Sequence, residues 1–410
     1  MHKSFRFLWS GELLSFTSTQ FILFLLPVIA ISSLNLENSR IAAINVFTGL
    51  GTLVFLLLLQ NLGDSKKKIL ILSTCSLIRA LLCFLASYLL FQGNFNIFLL
   101  LSFSFIISGT TVFYDSLFSS LIPSVVDKSQ ISRANRWFAS LHSVADIAVG
   151  AAAGVAFEFL GEHTLFIIFA LLYIFSLIGP ISAVKNYKLT VYTKESDSED
   201  KYLGYWAGFK YLFKDGIQLP LTKSIVYFNI ITSGIQAVYI IYLLRSANIS
   251  VLNLGIASSL GGVLGIMFAS VFGRKIDNLR PYFILILTFL VPGISGLGIF
   301  VSYYFNDTFS IIIVGISLAL WASSMMINIS TSETIKHHFV PNHILGRFSM
   351  SQRLLTWGAD PLGAILASIL LMYLNVSTVF IIFLFLTFLS PLWVIASNDI
   401  KKLPVLSEIS

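Results

Sequence analysis

The sequence predicts an all-α membrane protein of twelve transmembrane helices, arranged as two related bundles of six. Of its 410 residues, 56% are hydrophobic and only 11% are charged, whereas about 25% of a soluble domain is charged. Apolar runs follow one another along the whole chain, and each has roughly the 20 residues that a helix needs to cross the hydrocarbon core. Charged landmarks of the first half also recur in the second half, which predicts an internal repeat.

Apolar runs between charged or turn-rich breaks place the helices in two sets. The first set lies near residues 8–34, 39–62, 69–91, 96–122, 134–160 and 164–185. The second set lies near residues 221–244, 251–273, 281–304, 308–335, 348–374 and 377–396. The sequence therefore divides into an N-terminal bundle (1–186), a linker (187–218) and a C-terminal bundle (219–410). The first apolar run is too long for the core of a signal peptide, so we expect it to stay in the membrane.

The linker is the only long polar stretch of the sequence. Its second part, residues 202–213, combines aromatic residues with Lys210, and Lys214 follows directly. Aromatic and basic residues in this mixture are typical of a helix that lies in the membrane interface. A loop with incidental aromatic residues is the alternative.

Lysine and arginine fall almost entirely on one side of the predicted topology. Only Arg40 and Arg245 fall on the other side. Basic residues accumulate in cytoplasmic loops, so we expect a bacterial inner-membrane protein with both termini in the cytoplasm. The net charge of +7 then reflects topology rather than nucleic-acid binding. The residues on the cytoplasmic side are Lys3, Arg6, Lys66, Lys67, Lys68, Lys128, Arg133, Arg136, the linker lysines, Lys223, Arg274, Lys275, Arg280, Lys336, Arg347, Arg353, Lys401 and Lys402.

The two halves align through single charged and proline residues. Asp64 matches Asp277 at an offset of 213 residues, and Asp146 matches Asp360 at an offset of 214. Arg133 matches Arg347 at the same offset of 214, and two short insertions or deletions bring Asp115 with Glu333 and Pro123 with Pro341, both at an offset of 218, into the same alignment. Parallel six-helix repeats of this kind occur in transporters whose substrate site lies at the repeat interface.

Two motifs carry a resemblance to a known family. The stretch Gly273-Arg274-Lys275-Ile276-Asp277-Asn278-Leu279-Arg280 resembles the loop signature of the major facilitator superfamily. Its counterpart at residues 60–68 keeps Asp64 and the lysines but has Gln60 and Ser65 where the signature has glycine and arginine. The stretch 122–135, with 341–347 and 361–363 in the second half, resembles the drug:proton antiporters that include macrolide-efflux and enterobactin exporters. Val149-Gly150 stands where many relatives carry Gly-Pro.

The resemblance implies export of small amphipathic, drug-like or macrolide-like molecules by proton antiport, with two halves that rock about a central cavity. Export or flipping of an endogenous siderophore, peptide or lysolipid is the alternative, and a channel or receptor is a more distant one. We expect no enzyme activity, cofactor or metal, because the sequence has no metal-ligand spacing and no phosphate-binding loop. Cys75 and Cys83 match no metal, redox or disulfide spacing. The expected partners are a small-molecule substrate, protons and membrane lipids, and we expect a monomer.

Charged residues at the predicted cytoplasmic helix ends are candidates for a gate. Carboxylates there can pair with loop bases or with exposed helix N-termini. Such exposed pairs are weak enough, at about 0–1 kcal/mol, to break when the protein opens inward. The alternative is that these charges only set the orientation of the helices in the membrane. For Asp115 and Glu333 the alternative is a purely structural role. The candidate gate residues are Asp64, Asp277, Gly273, Arg274, Arg280, Arg133, Arg347, Asp115 and Glu333.

Four ionisable residues are predicted to lie within the membrane: Arg79 in helix 3, Asp146 in helix 5, Asp360 in helix 11 and Glu12 in helix 1. Charges at this depth are costly and are candidates for function. A carboxylate that meets Arg79 in only one conformation would exchange protons as the protein moves. A static salt bridge between Arg79 and one carboxylate is the alternative.

The predicted cavity carries more acids than bases, which favours cationic or neutral amphipathic substrates. Aromatic side chains offer such substrates broad and adaptable contacts. His142, one turn before Asp146, is either a proton relay or an interhelical packing residue. The glycines Gly150, Gly154, Gly255, Gly261, Gly262 and Gly265 are expected to permit close helix packing. The candidate cavity residues are Trp9, Phe16, Phe21, Trp137, Phe138, His142, Tyr239, Trp321 and Trp357.

Overall fold

The computed structural model describes residues 3–59, 68–125, 131–184, 206–276 and 278–409. Within these ranges, eleven helices are long and apolar enough to cross a membrane. This confirms the predicted class, an all-helical multi-pass membrane protein. Large apolar side chains remain exposed along many of the long helices, for example Phe98 at 78% and Phe159 at 79%, as expected for surfaces in contact with lipid.

The first six predicted helices all appear in the structure, and the fifth and sixth follow each other with only a sharp turn between them. The bend falls at Gly161, whose backbone has φ 71° and ψ 161°. Glycine adopts a positive φ without a steric penalty, so the chain turns there without a long loop. Predicted helices 5 and 6 are therefore separate helices, 131–160 and 162–176, that meet at Gly161 within the range given below for α5. The bounds are α1 Lys3–Ser32, α2 Asn38–Leu59, α3 Lys68–Phe91, α4 Ile97–Val125, α5 Ile131–Ser176 and α6 Ile178–Val184.

The second set begins with a short linker helix and ends with three short helices. A π-helical turn, Tyr242–Ser246, follows α8, and a 3₁₀ turn, Ser302–Tyr304, follows α10. The bounds are α7 Ala207–Leu212, α8 Gln218–Ile241, α9 Val251–Ile276, α10 Pro281–Val301, α11 Asp307–Phe339, α12 Asn342–Gly358, α13 Asp360–Tyr373, α14 Val376–Thr387, α15 Leu392–Ala396, α16 Asn398–Lys401 and α17 Leu406–Ile409.

Short polar turns mark several helix starts. Asn306 and Asn375 each accept a hydrogen bond from the backbone N–H three residues later, at 3.2 and 2.8 Å. Asn96 does the same for Leu99 at 3.2 Å. These caps satisfy amide groups that the first helical turn leaves unpaired. Pro281 begins α10, where its missing N–H costs nothing.

The chain forms two compact units, and the first comprises residues 1–191 together with 250–259. In this unit α1 packs against α5 and α6, α2 packs against α4, and α3 packs against α4 and α5. Its core includes an aromatic cluster in which Phe138 contacts Phe5 and Phe118, with ring centroids 5.5 and 5.0 Å apart.

The second unit comprises residues 192–249 and 260–410. Here α8 packs against α13 and α14, and α10 packs against α11 and α14. The C-terminal segment is part of this unit, because Ile400 and Leu403 are buried in a core cluster with Leu221 and Phe289. The backbone N–H of Leu406 also donates to the carbonyl of Leu279 at 3.0 Å.

Glycines allow several helix pairs to touch through their backbones. In unit 1, a Cβ added at Gly255 of α9 would collide with the Gly150 carbonyl of α5, and one at Gly154 would lie 2.8 Å from the Val251 carbonyl. In unit 2, a Cβ at Gly261 would lie 2.7 Å from Leu318 of α11. Small residues let membrane helices approach closely, so these glycines have the packing role expected from the sequence.

Candidate functional site

In unit 1, Glu12 of α1 pairs with His142 of α5. The distance from Glu12 Oε1 to His142 Nε2 is 3.0 Å. The carboxylate is buried, with 2% of its side chain exposed, whereas 39% of the imidazole is exposed. Glu12 Oε2 has no hydrogen-bond partner among the described residues. The pair therefore joins a buried acid to an accessible ring that can carry a proton.

Arg79 of α3 lies in a buried setting of hydroxyl groups and tyrosine rings. Its Nε and Nη1 donate to Thr110 Oγ1 and Ser15 Oγ, both at 3.1 Å, and its Nη2 donates to the Thr110 carbonyl at 2.5 Å. The rings of Tyr114 and Tyr173 lie 5.0 and 5.6 Å from the guanidinium carbon. Among described side chains, no carboxylate lies within 4 Å of Arg79. The side chain of Asp146, the other predicted candidate, lies outside that set.

Asp115 of α4 interacts electrostatically with this intramembrane group, and the side chains of the loop bases proposed from sequence lie outside the described residues. Helix α4 continues for ten residues beyond it to Val125, and the charged groups that act on it are those of Glu12, Arg79 and His142. Asp115 is nevertheless exposed. Unit 1 therefore presents an accessible carboxylate close to the Glu12–His142 pair.

The aromatic candidates of unit 1 divide between this group and the core. Phe16 stacks on His142 with ring centroids 4.0 Å apart, and Trp9 meets Trp137 edge-on at 6.4 Å. Phe138, in contrast, is 5% exposed within the core cluster and is therefore a packing residue. Phe21 packs against Phe169 at 5.5 Å.

In unit 2, Asp360 lies at a break in a long helix. The predicted helix 348–374 is two helices, α12 and α13, separated at Ala359. Pro361 has no N–H to donate to the Trp357 carbonyl, and the neighbouring Thr356 carbonyl accepts from Asn229 Nδ2 of α8 at 3.0 Å. Asp360 is half-buried, and no ion pair or hydrogen bond joins it to another described side chain.

The aromatic candidates of unit 2 differ in their exposure. Tyr239 and Trp321 are half-buried. Trp357 is 40% exposed and lies under Arg353, whose guanidinium carbon is 5.6 Å from the ring centroid. Trp357 is thus the accessible member of the three.

The proposed gate residues fall largely outside the part of the chain that the structure describes. Asp64 and Asp277 lie outside it, as do the side chains of Arg133 and Arg274. Of the rest, Gly273 and Arg347 are half-buried and Arg280 is exposed. Glu333 pairs within its own helix, with Lys336 Nζ at 2.5 Å and His337 Nε2 at 3.6 Å. The gate remains a prediction.

Sequence reasoning missed the uncharged partners of the charged residues. Ser15, Thr110, Tyr114 and Tyr173 surround Arg79, and Asn229 bonds at the helix break. Ser15 lies three residues after Glu12 and hence on the same helix face, which is the one local signal that pointed to it. The described residues contain no group of three His, Cys, Asp or Glu side chains that could hold a metal ion, and Cys75 and Cys83 are buried free thiols.

Comparison with known proteins agrees with this architecture. Several solved transporters share the fold at low sequence identity. A bacterial homologue of the iron transporter ferroportin is 15% identical, with 97% of each chain covered and a TM-score of 0.70. The nucleoside transporter NupG is 16% identical, with 98% of this chain and 100% of that one covered and a TM-score of 0.68. A POT family peptide transporter is 13% identical, with 97% of each chain covered and a TM-score of 0.72.

No curated protein matches the sequence of this chain. The family model described as Major Facilitator Superfamily, however, matches residues 8–358. That range includes the Glu12–His142 pair, Arg79 and Asp115, and it ends at the break before Asp360. The chain is a membrane transporter that belongs to the Major Facilitator Superfamily.

Proposed function

We propose that this protein exports small amphipathic molecules across the bacterial inner membrane by proton antiport with alternating access, as a monomer with both termini in the cytoplasm. The observation that carries the proposal is two carboxylates within the helical bundles, Asp115 and Asp360, that form no ion pair with any described side chain. Asp115 is exposed beside the Glu12–His142 pair. Asp360 stands at a helix break with no described ion-pair partner.

The side chains around Asp115 favour a cationic substrate. An exposed carboxylate attracts positive charge, and Phe16 stacked on His142 adds an aromatic face near the same acid. Aromatic rings bind both apolar surface and cations. Arg79 is buried and already bonded to Ser15 and Thr110, so it does not cancel this preference by direct pairing.

Proton coupling is the role that we assign to Glu12, with His142, and to Asp360. A buried carboxylate is costly in its charged form, so each can change its protonation state when its access to water changes. Asp146 aligns with Asp360 in the sequence repeat and is the third candidate. Protonation from outside would release a cationic substrate, and deprotonation inside would permit the next one to bind.

The test uses ethidium, a planar organic cation, as the transported probe. Cells that make the protein should accumulate less ethidium than control cells, and a protonophore should abolish the difference. In proteoliposomes, an imposed pH gradient should drive ethidium movement by the unaltered protein. Asp360→Asn and Glu12→Gln should lose this movement yet still exchange ethidium without a gradient.

Glu37→Gln is the matched control, because Glu37 is 74% exposed and pairs only with its neighbour Arg40 in the described chain. It should pump like the unaltered protein. If Asp360→Asn and Glu12→Gln both retain gradient-driven movement, these carboxylates are structural. If no gradient moves ethidium at all, the assignment of an organic-cation substrate fails.

Transport of an endogenous polar molecule is the second candidate. It is favoured by the fold-level likeness to a peptide transporter and to a nucleoside transporter, and by the hydroxyl-rich setting of Arg79, where Ser15 and Thr110 supply hydrogen-bonding groups. A competition assay separates the two candidates. Inhibition of ethidium movement by dipeptides or nucleosides but not by other organic cations would favour the second.

A further inference from the structure

The linker helix α7 packs closely against other helices of unit 2. Leu212 is fully buried in a cluster with Val340, Ile344 and Phe348. The Tyr211 hydroxyl donates to the Phe339 carbonyl, the last residue of α11, at 3.2 Å. Contact on this side fixes the rotation of α7 about its axis.

A close backbone contact between α7 and α12 adds to this packing. Gly208 lies against the Arg347 carbonyl of α12 so closely that an added Cβ would collide with it. Only glycine fits this approach. Helix α7 therefore joins the end of α11 to the first turns of α12, two helices that are consecutive in the chain.

The opposite side of α7 carries aromatic rings beside lysines. At about 100° per residue, Phe209, Trp206 and Phe213 lie together and are followed by Lys210 and Lys214 on one continuous arc. Trp206 is 69% exposed and Phe213 58%, and both lysines are exposed. Backbone bonds from Phe213 to Phe209 at 2.9 Å and from Lys214 to Tyr211 at 3.1 Å continue the helical winding past α7.

This arc lies next to the membrane in the chain. Lys214 is four residues before Gln218, where the next membrane-capable segment begins. Aromatic rings of this kind occupy the headgroup level of a bilayer, and basic residues there attract anionic lipids. In the described part of the chain neither lysine forms an ion pair, so both charges remain available.

We propose that Trp206, Lys210, Phe213 and Lys214 form a binding surface for anionic phospholipid headgroups. The aromatic rings enter the interface, and the two ammonium groups bind lipid phosphate. Because the other side of α7 is docked on the α11–α12 junction, a bound lipid also holds that junction in place. This proposal does not depend on the transported substrate or on the coupling ion.

Quenching of tryptophan fluorescence tests the proposal on the full-length protein. The protein is reconstituted in phosphatidylcholine, and brominated phosphatidylglycerol or brominated phosphatidylcholine is titrated in. The signal of Trp206 is the difference between the unaltered protein and Trp206→Phe. We expect half-maximal quenching at a much lower mole fraction of the brominated phosphatidylglycerol.

The double variant Lys210→Gln/Lys214→Gln should reduce this preference roughly 30-fold, since each lysine near an anionic surface contributes about a fivefold effect. Lys401→Gln/Lys402→Gln removes the same charge from exposed positions elsewhere in unit 2 and should leave the preference unchanged. Molar salt should abolish the preference in the unaltered protein by screening, a readout that depends on no variant.

Equal quenching by both brominated lipids would overturn the proposal, as would a preference that survives removal of the two lysines. Absence of quenching by either lipid would show that this surface faces something other than the membrane. Thermal unfolding of each variant serves to check that the fold is intact.

Discussion

Arg79 is the most deeply buried charge among the described side chains, with 1% of its surface exposed. Three hydrogen bonds and two tyrosine rings take the place of water around it. The planar guanidinium suits this site because its donors point in fixed directions toward Ser15 and Thr110 on different helices. The residue therefore ties α1, α3 and α4 together, and Tyr173 brings in α5.

Arg79→Lys should destabilise the protein, because an ammonium group cannot reproduce the fork that reaches Ser15 and Thr110 together. We expect a loss of about 2–4 kcal/mol for Arg79→Ala and a smaller loss for Arg79→Lys. Thermal unfolding of the detergent-solubilised protein measures both. Arg40→Lys is the control, since Arg40 is exposed and its pair with Glu37 contributes little. An Arg79→Lys protein as stable as the Arg40→Lys protein would contradict a structural role for these bonds.

At the scale of single residues, the sequence identified the charges but not their partners. Depth in an apolar run marked Glu12, Arg79 and Asp360 as unusual, because a charge is rare there whatever surrounds it. The pairing of Glu12 with His142 joins residues 130 positions apart. Such a contact depends on the rotation of α1 and α5 about their axes, which nearly uniform apolar sequences do not specify.

Among the helices, contact between α8 and α13 depends on one glycine. Gly363 of α13 faces the Ile230 carbonyl of α8 so closely that a Cβ would collide with it. The break in the chain before α13 lies at this contact. Asp360 is the first residue of α13, and Asn229 of α8 donates a hydrogen bond to the Thr356 carbonyl just before it. The close approach of α8 and α13 therefore supports the geometry of the break.

Gly363→Ala should push α8 and α13 apart and destabilise the protein by about 1–3 kcal/mol. Gly346→Ala is the matched control: Gly346 lies in the neighbouring helix α12, and its Cβ would meet nothing within 4 Å. There alanine should be neutral or stabilising by up to about 1 kcal/mol, because it favours the helix. Thermal unfolding compares the two, and equal stability of both variants would argue against a tight α8–α13 contact.

At the scale of the whole molecule, the side of the membrane on which each turn lies follows from charge. Asn94 lies in the exposed turn between α3 and α4, and Lys402 is exposed after α16. From the distribution of lysine and arginine we expect Asn94 outside the cell and Lys402 in the cytoplasm. Both native cysteines, Cys75 and Cys83, are buried, at 6% and 0% exposure, and should not react with a polar reagent.

Labelling of single introduced cysteines tests this topology. A membrane-impermeant maleimide should label Asn94→Cys on intact cells, whereas Lys402→Cys should react only after permeabilisation. The unaltered protein is the blank. The reverse pattern would place the C-terminus outside and would also remove α7 from the cytoplasmic interface.

The sequence by itself determined the class of the protein and the position of most of its long helices, and it predicts two repeats. These properties depend on local quantities: the length of each apolar run, the residues that cap or bend a helix, and the sign of the charges between runs. Only the tertiary structure decided which helices pack together, for example α1 with α5 and α8 with α13. It also decided that Glu12 pairs with His142, and that Arg79 bonds to hydroxyl groups. The physical reason is that an apolar helix is nearly symmetric about its axis, so packing between helices, and not composition along them, selects which side chains meet.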